Sequence, residues 1–250
     1  MSERPRIVVT GAAKRVGRAL ALEFAAAGCD LDLTYRSSEA DVARTADDAR
    51  ARARAAGHEI GVATHRLELG DPPAVEAFGK SLAASRGGRI AGLVHNASSY
   101  GPTPFGGVTP EAAMAHFRVN ALAPLLLTQA LAPALRAARG AVVLFSDIHV
   151  LGRPRPRYVA YSMSKAALTD LCSTLAIELA PEVRVNAIAP GVVAWPADAP
   201  RDEIERYESR IPLARPGTPD DAARCARWLV FDATYVTGET IRLDGGRWLR

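Results

Sequence analysis

The chain has 250 residues, 48% of them hydrophobic and 23% charged, with a net charge of +4 at neutral pH. That composition supplies a sizeable core and excludes a disordered or fibrous chain. The arginines are spread along the sequence rather than gathered in a patch or tail, which argues against a nucleic-acid binder.

In chain order, the opening "MSERPRIVVTG" reads as entering a strand at once, so no signal peptide is expected. Short β-rich runs at 6–10, 30–36, 61–69, 90–96, 140–146, 183–190 and 239–245 then alternate with helical stretches at 15–27, 39–56, 72–85, 110–138, 158–180 and 219–231. Such alternation predicts βαβ units, with a parallel sheet covered by helices on both faces. Runs such as "IVV" and "AVVLF" are apolar without a break, as strands buried on both sides require. The stretch 190–220 carries several prolines and reads as one long connection, a candidate substrate lid. No uninterrupted apolar run reaches the span of a bilayer, so a soluble cytoplasmic protein is expected. Cys29, Cys172 and Cys225 are odd in number and far apart, and the five histidines show no metal-binding spacing, so neither a disulfide framework nor a metal is expected.

The first strand runs into "TGAAKRVG". A glycine turn from a buried strand into a helix lets backbone N–H groups approach a phosphate, and the helix N-terminus favours negative charge. Lys14 and Arg15 put cations where a diphosphate would lie. The second strand ends "YRSS", where an acid would bind two ribose hydroxyls and an arginine would accommodate a 2′-phosphate. Arg36 with Ser37 therefore points to NADP(H); the alternative is a solvated arginine at a strand end.

Further on, Tyr161 and Lys165 stand four apart on an Ala-rich helix and share one face. An ammonium beside a phenol lowers the phenol's pKa, so the pair reads as a tuned proton donor. Asp147 lies fourteen residues before the tyrosine and Ser146 fifteen. A serine would donate to a carbonyl oxygen gaining negative charge. An ionised carboxylate only accepts, and suits a C=N bond whose reacting centre becomes iminium-like. His95 is expected to pack or bond locally, and "RPRPR" (153–157) to be a solvated loop.

Taken together, the "TG" turn, "HNAS" at 95–98, Asn120, the Tyr161/Lys165 pair and "PG" at 190–191 resemble the short-chain dehydrogenase/reductase family over essentially the whole chain. Arg15 replaces the middle glycine of the family's turn, and Glu68 stands where an aspartate usually touches adenine. With "NASSY", an Asp at the catalytic serine position and "LDGGRWLR" at the C-terminus, the chain looks like the pteridine reductase branch, including dihydromonapterin reductases. The resemblance implies a Rossmann-type α/β fold, doubly wound, with a seven-stranded parallel sheet flanked by helices on both faces, in a single domain over 1–250. It implies NADPH held by Thr10, Gly11, Lys14, Arg15, Val16, Gly17, Arg36, Ser37, Glu68, Leu69, Asn96, Ala97, Ser98, Tyr161, Lys165, Pro190, Gly191 and Val193. Catalysis would fall to Asp147, Tyr161, Lys165 and a water-holding Asn120. A dihydropterin would meet Arg15, Ser98, Tyr100, Asp147, Tyr161 and Trp195. The resemblance further implies a homotetramer joined through the helices at 110–138 and 158–180. The alternatives are a carbonyl reductase of the same family using Ser146, or a non-catalytic NADP(H)-binding regulator.

Overall fold

Seven strands, β1 (Arg6–Val9), β2 (Asp30–Tyr35), β3 (Val62–Arg66), β4 (Gly92–His95), β5 (Ala141–Phe145), β6 (Arg184–Pro190) and β7 (Thr240–Leu243), pair in parallel in the order β3-β2-β1-β4-β5-β6-β7. The coordinates are a computed structural model and describe residues 4–195 and 200–250. The expected doubly wound α/β fold is the one found.

The strand sequences explain the layering. Successive side chains point to opposite faces, so Ile7 and Val9 of β1 join one core cluster and Val8 the other. Leu20 and Phe24 of α1 (Arg15–Ala26), Val42 and Ala46 of α2 (Glu39–Ala55) and Leu229 of α8 (Pro219–Phe231) cover the first face. The second face packs on Val75 and Leu82 of α3 (Pro72–Ala84), Leu127, Leu131 and Leu135 of α5 (Ala123–Ala138), and Leu168 and Cys172 of α6 (Val159–Glu178). Every residue of β1 and β5 is buried, whereas the edge strands β3 and β7 are only partly so.

Two expected elements differ. The single helix at 110–138 is α4 (Pro110–Phe117), a π-helical turn over Arg118–Leu122, and α5. Pro124 has no N–H to give the Asn120 carbonyl, which favours the wider turn there. The run Pro110–Ala138 is long and apolar enough to cross a membrane, but half of its most apolar stretch is buried inside the protein, as in a core helix. Within the connection 190–220, residues 196–199 lie outside the described residues, and Arg201–Glu208 forms a further helix, α7. Ion pairs between Arg201 and Glu205 and between Arg206 and Asp202 support it, at i,i+4 spacing.

Candidate active site

The strand order reverses between β1 and β4, and a cleft of about 930 Å³ runs along the carboxyl ends of the strands there. Its floor is the turn from β1 into α1. Gly11 has φ +67°, and a Cβ on Gly17 would lie 2.0 Å from the Gly11 carbonyl oxygen, so the sharp turn needs glycine at both places. Thr10 is buried; its hydroxyl accepts the N–H groups of Asn96 and Ala97, both at 3.1 Å. Asn96 Nδ2 in turn donates to the carbonyls of Thr10 and Gly11 at 3.0 Å. Thr10 thus shapes the turn from behind, while Gly11, Asn96, Ala97 and Ser98 reach the cleft surface. No side chain caps the start of α1, which leaves its first-turn N–H groups for a ligand.

Arg15 holds a left-handed backbone, φ +52°, at the position the family usually gives to glycine, and donates from Nη2 to the Ala194 carbonyl at 2.5 Å. Lys14, Val16, Arg36, Ser37, Glu68 and Leu69 line the same cleft, with Pro190, Gly191, Val193 and Trp195 on the opposite bank. Lys14 pairs with Asp41 of α2 at 2.6 Å, so it stands near the Arg36 and Ser37 end. Arg36 and Ser37 are exposed.

Alternation along the chain leaving β5 separates the two catalytic candidates. Ser146 is buried, and its hydroxyl shares a hydrogen bond with Thr169 of α6 at 2.5 Å. Asp147 turns the other way and lines the cleft. Its Oδ2 accepts the Tyr161 hydroxyl at 2.8 Å, and its Oδ1 accepts the His149 N–H at 2.8 Å. Lys165 is buried and donates from Nζ to the Phe145 carbonyl at 2.6 Å. Burial pushes its pKa down to about 8, against the pull of Asp147. Tyr161 goes up, first by burial and then by the charge of Asp147 and the hydrogen bond to it. This reverses the sequence expectation of a phenol acidified by lysine: its bonded partner is the carboxylate, and the ammonium is spent on a carbonyl.

Asn120 sits in the π-helical turn and is fully engaged. Its Oδ1 accepts from Ser98 Oγ (3.1 Å) and Ser99 N (2.8 Å), and its Nδ2 donates to Ser99 O and Ser164 Oγ, both at 2.9 Å. The side chain therefore ties the loop after β4 to α6, and its amide holds no spare donor for a water. Tyr100 stacks on Tyr158 with centroids 5.1 Å apart and meets Tyr161 edge-on at 5.0 Å. Arg155, from the loop expected to be solvated, lies 4.4 Å over Tyr158 and donates to the Tyr100 hydroxyl at 2.5 Å. Trp195 donates to Glu208 at 3.1 Å and packs edge-on against Tyr207 of α7. Sequence reasoning missed Tyr158 and Tyr207. Tyr158 lies three residues before Tyr161, a spacing that signals a shared face, whereas Tyr207 depends on the unforeseen α7. His95 bonds Thr128 at 2.9 Å, and burial holds its pKa down to about 3. Among the described residues no cluster suits a metal ion.

A glycine turn at the switch point of a doubly wound sheet, facing a Tyr/Lys helix, defines an oxidoreductase of the dinucleotide-binding kind. A family model described as enoyl-(acyl carrier protein) reductase matches residues 11–247. The chain is 35% identical to protein FixR of Bradyrhizobium diazoefficiens, over 97% of this chain and 86% of that protein. It is 30% identical to glucose 1-dehydrogenase of Gluconobacter oxydans, covering 96% and 91%, and 31% identical to pteridine reductase 1 of Leishmania tarentolae, covering 97% and 96%. The chain belongs to the short-chain dehydrogenase/reductase family, whose members bind NAD(P).

Proposed function

We propose that the protein is an NADPH-dependent reductase of a pterin-type C=N bond, taking a dihydropterin such as dihydromonapterin, or dihydrofolate, to the tetrahydro form. The observation that carries this reading is the placement of Asp147 on Tyr161 with Ser146 turned away. A carboxylate at that point stabilises positive charge developing on a ring nitrogen and disfavours an alkoxide. The cofactor supplies a hydride. Tyr161, a weak acid in this setting, passes its proton to the nitrogen as it regains one through Asp147, which opens onto the cleft. Lys165 holds a buried positive charge behind the pair, and Asn120 fixes the loop that carries Tyr100. Tyr100 and Tyr158 offer an aromatic wall for a flat heterocycle.

Arg36, Ser37 and Lys14 support NADPH over NADH. Replacing Arg36 with Ala should weaken NADPH binding by about 1.5–3 kcal/mol, the worth of a hydrogen bond to a charged group, and leave NADH nearly unchanged. Equal losses would remove Arg36 from the 2′-phosphate. Exposed Met114 on α4 and Val159, Met163 and Ile177 on α6 support a homotetramer joined through these helices. The variety of the relatives' names favours one rival, a ketone reductase. Asp147→Ala and Ser146→Ala, each assayed with a dihydropterin and a ketone, decide between them. Loss of turnover in the serine variant alone would make the ketone reading right.

A further inference from the structure

At the opposite end of the strands from the cleft a second hollow of about 310 Å³ opens among the amino ends of β1, β2, β4 and β5. Arg4, Arg89 and Arg139 line it, all exposed, and none has a carboxylate or side-chain hydrogen-bond partner among the described residues. Arg6 in the wall is already committed to Asp32 at 2.6 Å. Asp30, the one acid of the wall among the described residues, accepts the Gly61 N–H at 2.7 Å. Three guanidinium groups without an ion-pair partner among the described residues therefore border one small space, against the one carboxylate of Asp30.

The plain alternative is that these arginines answer the negative ends of α5 and α8, which stop beside the hollow. Both ends are already served. Arg184 donates to Leu229 O, Val230 O and Ala233 O at 2.6–2.9 Å, and the N–H groups of Arg139 and Gly140 close α5 onto Arg136 O and Leu135 O. Arg139 also occupies a left-handed backbone, φ +51°, that favours glycine. Guanidinium forks suit phosphate and carboxylate oxygens.

We propose that this hollow is a binding site for a compact polyanion, a diphosphate or a tricarboxylate, separate from the catalytic cleft. The test is isothermal titration of pyrophosphate and, in parallel, citrate into the protein holding saturating NADPH, so that the other cationic cleft is filled. One saturable site per chain is expected, weakening with added salt. Arg89→Ala and Arg139→Gly should each weaken it at least tenfold. Arg139→Gly suits the left-handed backbone, so it should fold and turn over substrate as wild type does. The stronger of the two anions identifies the ligand class. Absence of saturable binding by both anions, or wild-type affinity in both variants, would overturn the proposal.

Discussion

Asp32 within β2 and Asp147 just past the end of β5 are carboxylates kept in opposite company. Asp32, buried in the middle of β2, is held by Arg6 at 2.6 Å and His65 at 2.7 Å. Burial raises its pKa, and the hydrogen bonds and charges of these two partners outweigh that and lower it. Asp147 has a neutral phenol and one backbone N–H, and it faces the cleft. A carboxylate whose oxygens are both taken by a guanidinium and an imidazole fixes a fold and has little left to give. One bonded only to a phenol and a backbone N–H keeps a face open to the cleft.

The contrast breaks most sharply at Asp147. Asp147→Asn keeps the shape and removes the charge, and should slow dihydropterin reduction by about 10²–10⁴-fold, as expected of a general acid–base group, with stability nearly unchanged. A rate close to wild type in steady-state assay would show that the carboxylate is structural after all.

Arg6→Ala should do the reverse. It leaves Asp32 buried with a single partner, a situation that costs about 3–5 kcal/mol, visible in urea denaturation, while turnover of the folded fraction persists. Because the folded pKa of Asp32 is depressed, the wild-type contribution is present above the unfolded carboxylate pKa. It is lost as pH falls through the lower folded value, and Arg6→Ala should flatten that acid limb.

Lys165 sharpens the comparison through pH. With a pKa near 8 the folded protein releases this proton before the unfolded chain does. Between pH 8 and the ordinary lysine value the unfolded state binds more protons, so stability rises with pH. Activity that needs the ammonium should fall by about tenfold per pH unit over the same window. A flat rate profile to pH 10 would exclude the charged lysine from the rate-limiting step.

Smaller effects belong to the neighbours. Tyr100→Ala should raise the Michaelis constant for dihydropterins about tenfold, since stacking of a base-like ring is worth about 1–3 kcal/mol. Unchanged kinetics would place the ring's role in packing on Tyr158 alone. Ser146→Ala should cost about 1 kcal/mol of stability through the lost hydrogen bond to Thr169, whose hydroxyl keeps its bond to the Lys165 carbonyl, and leave the rate almost untouched.

Much of this was visible in the residues themselves. Unbroken apolar runs located the strands, the glycines located the sharp turn from β1 into α1, and a count back from Tyr161 left Asp147 and Ser146 as the two candidates. What stayed hidden depends on where long side chains end. Spacing places Tyr161 and Lys165 on one face, but only packing decides that the ammonium reaches Phe145 O and the phenol reaches Asp147. The Tyr100–Tyr158–Arg155 stack joins two loops distant in sequence, which no local pattern records. Helix α7 is too short and too charged to announce itself by an apolar stripe.

Arg15 joins the glycine turn after β1 to the loop past β6 through a bond to Ala194. Such a bond, exposed and charged, is worth about 1 kcal/mol, enough to change the ratio of joined to parted banks by about fivefold. Any ligand anion that takes this guanidinium for itself therefore loosens the far bank, and a held far bank weakens that anion in equal measure. Among the described residues Arg15 thus links the two halves of the cleft thermodynamically, and amide exchange at 192–195 with and without cofactor would read that coupling directly.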